Sequence, residues 1–299
     1  MGIFVNGTSL FKPSSAAGAL GRLVLSKASV PYHVATARVD YAQAIVEGRN
    51  AKALVLSAKA DELAETMKRS GSNGLLLLPD AVDPSQWDAT LKMLEAAQLA
   101  KLQHLILVST AASAENSIVP SGKAWFKLEC EAEKSNIPLT ILHPTTLMQS
   151  FLHGNMHDMI CGRTLSVTNN AAKIAFIDGY DVAQVINSVV AKPTENSSTY
   201  HLTGPAALSW QEVAATFSKH LCSPVHYSKF PLWAVQTSMW VKGKRPEEIQ
   251  EVVNLSKYYE AQYESDTSNT IRELLGREPR SFDEFVKEHE EEWPLQKFA

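Results

Sequence analysis

The sequence of 299 residues is poor in cysteine, with only Cys130, Cys161 and Cys222. They lie far apart, form no C-x-x-C pair and stand in no cluster with histidine. That excludes a disulfide framework or a zinc site built on them and suits buried thiols in a reducing compartment. An excess of basic charge is also lacking: 28 Lys and Arg face 32 Asp and Glu, a net charge of −4. Nothing in that balance points to a nucleic-acid partner. No apolar run approaches the ~20 residues of a membrane-spanning helix, so no membrane partner is expected. The opening "GIFVN" passes into glycine and polar residues without a basic segment, which predicts no secretory signal and a cytoplasmic protein. Three catalytic signatures are missing as well. There is no H-E-x-x-H metal motif, no G-x-S-x-G elbow and no P-loop, because Lys12 precedes the closely spaced glycines. No metal is expected.

What is present is an alternation of short apolar runs with helical patterns. "GIFVN", "YHVATA", "KALVLS", "GLLLLP", "HLILVS" and "LTILHP" read as six strands. Between them "ADELAETMKR", "SQWDATLKMLEAAQLAKL" and "KAWFKLECEAEKS" read as helices, as does Ala17 to Ser26. Continuous apolar strands separated by helices predict a parallel sheet covered on both faces, hence a doubly wound α/β fold. Residues 1–150 are read as a dinucleotide-binding domain of the Rossmann type. Residues 151–299, with "KIAFID" and "STYHLTG" as strands among four further helices, are read as a smaller mixed substrate lobe packed on it in one compact unit. Asp181, before the apolar run of "DVAQVI", reads as a helix N-cap.

The first turn carries the cofactor question. Gly18 and Gly21 keep the spacing of the last two glycines of a G-x-x-G-x-x-G loop, but Gly7 lies far upstream across "SLFKPSSA". The close pair suits pyrophosphate on the free N–H groups of a helix N-terminus and tight helix–sheet packing, while Gly7 and Thr8 end the strand. Pro13 and the serines beside it favour a flap over helix, so the helix is expected to begin near Ser15 to Gly18.

Several stretches in order resemble the NmrA-like atypical short-chain dehydrogenases. These are "LLLLPDAVDPSQWDATLKMLEAAQLAKLQHLILVST", "KLECEAEKSNIPLTILHPTTLMQSF", "FIDGYDVAQVI", "YHLTGPAALSWQEVAATFSKHL" and "LLGREPRSFDEFVKEHEEEW". The resemblance implies a Rossmann-type domain that binds NADP(H), with Gly7, Thr8, Gly18 and Gly21 at the pyrophosphate. It implies Arg38, just past the second strand, at the 2′-phosphate. Ordinary short-chain dehydrogenases carry a Tyr-x-x-x-Lys pair. Setting Lys127 at the lysine position, as ribose ligand and catalytic residue, leaves Lys123 where the tyrosine belongs. Ser109 resembles the family serine, and His143 stands where relatives carry arginine before proline; both are catalytic candidates. Trp125, Met148 and Phe151 are candidates to line an apolar substrate pocket.

Three functions stay open. The first is an NADP(H)-dependent reductase of an apolar or aromatic small molecule, of the fungal secondary-metabolism kind. The second is a cofactor-independent isomerase, cyclase or lyase that has kept the pocket and lost the nucleotide. The third is a nucleotide-sensing regulator without turnover.

Overall fold

A computed structural model describes residues 2–6, 16–36, 39–78, 84–168 and 171–295. The first half runs β1 (Gly2–Asn6), α1 (Ala16–Ser26), β2 (Tyr32–Thr36), α2 (Val39–Val46), β3 (Ala51–Val55), α3 (Ala60–Ser70) and β4 (Ser72–Leu77). There follow α4 (Pro84–Ala100), β5 (His104–Val108), α5 (Pro120–Glu133) and β6 (Leu139–Pro144). The second half adds α6 (Gly154–Cys161), β7 (Thr164–Val167), β8 (Lys173–Ile174), α7 (Gly179–Ala191), β9 (Ser198–Leu202) and β10 (Leu208–Ser209). It ends with α8 (Trp210–His220), β11 (His226–Lys229), α9 (Leu232–Val241), α10 (Pro246–Glu260), α11 (Thr270–Leu275) and α12 (Phe282–Glu288).

Seven strands form one parallel sheet in the order β3-β2-β1-β4-β5-β6-β9. The doubly wound Rossmann-type fold expected from the apolar runs is the fold observed. Successive side chains of a strand point to opposite faces, and the central strands are apolar on both. Ile3, Val5, Leu76, Ile106 and Val108 pack with α1, α7 and α11 on one face. Phe4, Leu75, Leu77, Leu105 and Leu107 pack with α3, α4 and α5 on the other. The edges differ: β3 is only partly covered, and β9 alternates covered with exposed residues until Leu202.

The sheet draws on both halves of the chain, because β9 pairs with β6 and α7 packs along α1. Tyr32 of β2 donates to Asn187 Oδ1 of α7 at 2.9 Å, and Asn187 Nδ2 donates to the Val24 carbonyl of α1 at 3.2 Å. The remaining lobe has two small sheets, β11 with β7 and β10 with β8. Its core is aromatic: Phe151 meets Phe176, Phe217, Phe282 and Trp210 with ring centroids 5.3–6.5 Å apart.

Two expectations change, and α9 stands outside any expectation. "KIAFID" pairs as a strand only at Lys173–Ile174, because Ile177 turns away to bond the Thr146 carbonyl and the Met148 N–H. The cap of α7 is Asp178, whose carboxylate accepts the Tyr180 N–H at 2.9 Å. Asp181 lies inside that helix, fully buried and paired with Arg277 at 2.6 Å. Finally, α9 is a helix of apolar composition with no buried residue, and Trp233 and Trp240 face outward. Its apolar residues follow no single face, so periodicity gave no signal for it.

Candidate active site

In an open α/β sheet, ligands bind outside the carboxyl ends of the strands where the strand order reverses. Here that point lies between β1 and β4, and cavities flank it on both sides. One, of about 440 Å³, is bounded by Asn6 at the end of β1, Leu56 to Ala58 after β3, and Lys92 and Met93 of α4. The other, of about 490 Å³, opens beyond β4, β5 and β6. Its floor is Leu78, Val108 and Ser109, and Leu20 of α1 closes one side. Gly18 and Gly21 are buried in the first turns of α1. Gly7, Thr8, Arg38 and the segment "SLFKPSS" lie outside the described residues.

The helix α5 forms a wall of the larger cavity. Its 100° turn per residue sets which side chains reach the cleft, and Ser121 and Trp125 do. Lys123 and Lys127 lie two positions on, on the outward side, and both are exposed. Lys127 therefore does not stand where a ribose ligand would. The pair at i, i+4 that faces the cleft is Ser121 and Trp125, so the cleft lacks both the tyrosine and the lysine of the ordinary pair. Trp125 lines the cavity as expected. Met148 and Phe151 do not: both are wholly buried in the aromatic lobe core. Thr145, Thr146, Leu147 and Ser150 from the same stretch line the cavity instead.

Ser109 and His143 meet on one carboxylate. Glu129 of α5, itself buried, accepts a short hydrogen bond from Ser109 Oγ and lies 2.9 Å from His143 Nε2 through the same oxygen. Burial works against the charge of Glu129, but the bonds from His143 and Ser109 outweigh it and hold its carboxyl below the usual range. His143 also packs edge-on against His201, with ring centroids 5.1 Å apart. His143 is not among the cavity-lining residues. It joins β6 to α5 beneath the floor, and Ser109 alone of the three reaches the cavity.

A second polar cluster was not foreseen. Glu264, 5% exposed, lines the cavity from the turn after α10. Its Oε2 accepts the Thr146 N–H at 2.8 Å and the Thr146 hydroxyl at 2.7 Å. Tyr259 Oη lies 2.8 Å from the same hydroxyl. Burial pushes the Glu264 carboxyl up to about 7, against the opposing pull of the Thr146 bonds. Nothing in "AQYESDTSN" marks this glutamate, since its partner Thr146 is 118 residues away in the chain. Nearby, Glu251 of α10 accepts the Ser121 hydroxyl and, at 3.1 Å, the Ser121 N–H, fastening α10 over the start of α5. Among the described residues no group of side chains is arranged to hold a metal ion, and no helix is long and apolar enough to cross a membrane.

The model of the NmrA-like family matches residues 84–286, more than half of the chain. The chain belongs to the NmrA-like family. An NAD(P)H azoreductase from Xenophilus azovorans is 28% identical over 207 residues, 69% of this chain and 72% of the relative. An agroclavine dehydrogenase from Claviceps fusiformis is 24% identical over 160 residues, 52% of this chain and 55% of the relative. Among solved structures, the NADPH-dependent quinone oxidoreductase QOR2 of Escherichia coli, complexed with NADPH, superposes with a TM-score of 0.79 at 18% identity. The match covers 96% of this chain and 99% of that one. At that identity the likeness speaks for a shared fold.

Proposed function

We propose that the chain is an oxidoreductase, an NADP(H)-dependent reductase of an uncharged apolar or aromatic small molecule. The observation that carries this reading is the cavity at the switch point, walled by apolar side chains and facing the N-terminal turns of α1. Membership of a family with azo and quinone reductases among its relatives supports it. Ser150 Oγ, buried at the cavity with no partner among the described residues, fits a bound dinucleotide or substrate that supplies one.

In this reading the first turn of α1, at Gly18, faces the pyrophosphate with its backbone N–H groups. The cavity at Asn6, Ser57 and Lys92 takes the adenosine half. Arg38 is the candidate for the 2′-phosphate, with Gly7 and Thr8 at the strand end. The bound nucleotide supplies a hydride; the protein supplies orientation and a dry site. Trp125, Leu147 and Leu255 hold the substrate's apolar body. Ser109 is fixed by Glu129 at the floor and offers its oxygen to the cavity, and His143 positions Glu129. The likeness to agroclavine dehydrogenase supports a substrate of the fungal secondary-metabolism kind.

Titration of the purified protein with NADPH, followed by calorimetry, tests the reading. Saturable binding in the micromolar range is expected, with loss of NADPH absorbance once a neutral quinone is added. No binding at millimolar NADPH overturns it. Turnover by nucleotide-free protein to a product of unchanged oxidation state puts the cofactor-independent isomerase or cyclase in its place.

A further inference from the structure

The cleft-facing i, i+4 pair of α5 is serine and tryptophan, so α5 brings no acid to the cavity. A reduction that adds a hydride to a carbonyl, quinone or azo group also needs a proton at the oxygen or nitrogen. We propose that Glu264 enters the cavity as a neutral carboxylic acid and gives the proton on Oε1 to an oxygen or nitrogen acceptor of an uncharged, conjugated substrate. This rests on the reductase reading for its reaction, but not for the binding it describes.

The geometry supports it in three ways. First, the two oxygens of Glu264 are unequal: Oε2 takes both Thr146 bonds, and Oε1 takes none among the described residues. The proton of the neutral acid therefore sits on Oε1. Second, the carboxyl is held at both ends. Its own backbone carbonyl accepts the Ala175 N–H at 2.8 Å, and Oε2 is fixed by Thr146. A group so held keeps its orientation when it loses a proton, and the Thr146 bonds then stabilise the carboxylate left behind. With Thr146 Oγ1 donating to Glu264, Tyr259 Oη donates to Thr146, which makes a chain of aligned donors behind Oε2. Third, no basic side chain is available. Among the described residues no Lys, Arg or His lines this cavity or pairs with Glu264. The titratable groups facing it are Tyr259 and Tyr258 of α10 and Glu251 across the cavity; Tyr263 and Asp266 are close in sequence but exposed. All of them are acids, and none brings a positive charge to the carboxyl. Burial accordingly leaves the neutral form populated up to near pH 7.

The same inventory sets the substrate class. A cavity whose ionisable side chains are all acids, with no basic group among its lining residues, offers an anion no partner, and its apolar walls exclude strongly hydrated cations. An uncharged conjugated acceptor fits. When the substrate takes up a hydride and the Oε1 proton, it is reduced by two electrons, and Glu264 recovers its proton from water.

The test uses the full chain, free of nucleotide, with menadione as a neutral quinone probe. Binding is followed by calorimetry from pH 5.5 to 8.5 for the native protein, Glu264→Gln and Glu264→Asp. Native affinity is expected to fall by up to about tenfold per pH unit above 7, whereas Glu264→Gln binds independently of pH. Carbon NMR of protein labelled at glutamate carboxyls should show one resonance titrating near 7 that Glu264→Gln removes. With NADPH added, Glu264→Gln should keep its nucleotide affinity within about twofold, lose turnover at least tenfold, and lose the alkaline limb of the pH profile. Glu264→Asp keeps a titrating acid but shortens its reach, so it should retain the pH dependence and lose rate. Should Glu264→Gln fail to fold, the native binding profile and the native carboxyl titration decide. Native binding that does not change with pH, or a Glu264→Gln variant with the native profile, overturns the proposal. Failure to bind NADPH overturns the reductase reading alone, because the menadione and NMR measurements contain no nucleotide.

Discussion

At the scale of single residues, two buried glutamates a short distance from the same cavity are held in opposite states. Glu129 is surrounded by donors, and its carboxyl is depressed. Its contribution to stability is complete above the ordinary carboxylate range and is lost as pH falls through its lowered folded value. Glu129→Ala would leave Ser109 Oγ and His143 Nε2 without their shared acceptor. A loss of about 2 kcal/mol is expected, read from the denaturant midpoint at neutral pH. Glu264 has the reverse sign. Its folded value is raised from 4.5 to about 7, so the native state holds a proton that the unfolded chain releases. The contribution is fully present below pH 4.5 and is lost as pH rises through 7. The native protein should therefore lose about 3 kcal/mol relative to Glu264→Gln between pH 4.5 and 8. Parallel slopes for the two proteins in chemical denaturation across that range would refute it. Neither state follows from the sequence: a glutamate in "KLECEAE" and one in "QYESD" look alike until the fold supplies their neighbours.

At the scale of elements, strands were easier to read than helices. The buried strands announced themselves as uninterrupted apolar runs because both faces of the sheet are covered. A helix shows in the sequence only when one of its faces is buried. That condition fails for α9, none of whose ten residues is fully buried. Replacing Trp233 and Trp240 together by serine should change the unfolding free energy by less than about 0.5 kcal/mol per site, measured by urea denaturation. A single atom elsewhere should matter more. Gly204, after β9, lies so close to Phe176 that an added Cβ would collide with the Phe176 carbonyl oxygen. That backbone is pinned by the Gly204 N–H to Ala175 carbonyl bond at 3.3 Å. Gly204→Ala should cost at least about 2 kcal/mol, visible as a lowered melting temperature. The position of Lys127 shows the limit from the other direction. A helix was legible there, but a shift of two residues in assigning its inward face sends a side chain from the cleft to solvent.

At the scale of the whole molecule, the site is assembled from residues spread between Leu20 and Glu264. Its floor could be anticipated from strand ends, because topology alone places Ser109 and Thr145 at the mouth of the sheet. Its roof could not: Glu251, Leu255, Tyr259 and Glu264 come from α10 and the turn after it, and no local pattern says that this stretch returns to the cleft. The C-terminal end is tied to the lobe in the same long-range manner. Trp293 is buried, packs on Phe217 with centroids 4.9 Å apart, and donates from Nε1 to the Phe151 carbonyl at 2.8 Å. Trp293→Ala should destabilise the protein by about 4 kcal/mol, read from thermal unfolding.

The late arrival of β9 in the sheet has a consequence for biosynthesis. A ribosome releases β1 to β6 first, and the sheet gains its seventh strand only after residue 202 has emerged. During that interval the nascent chain presents an open β6 edge and the uncovered flank of α1 that Asn187 and its helix later occupy. Six of the seven strands of the sheet thus wait outside the ribosome for the last. The interval is the one in which a holdase chaperone would find most to bind.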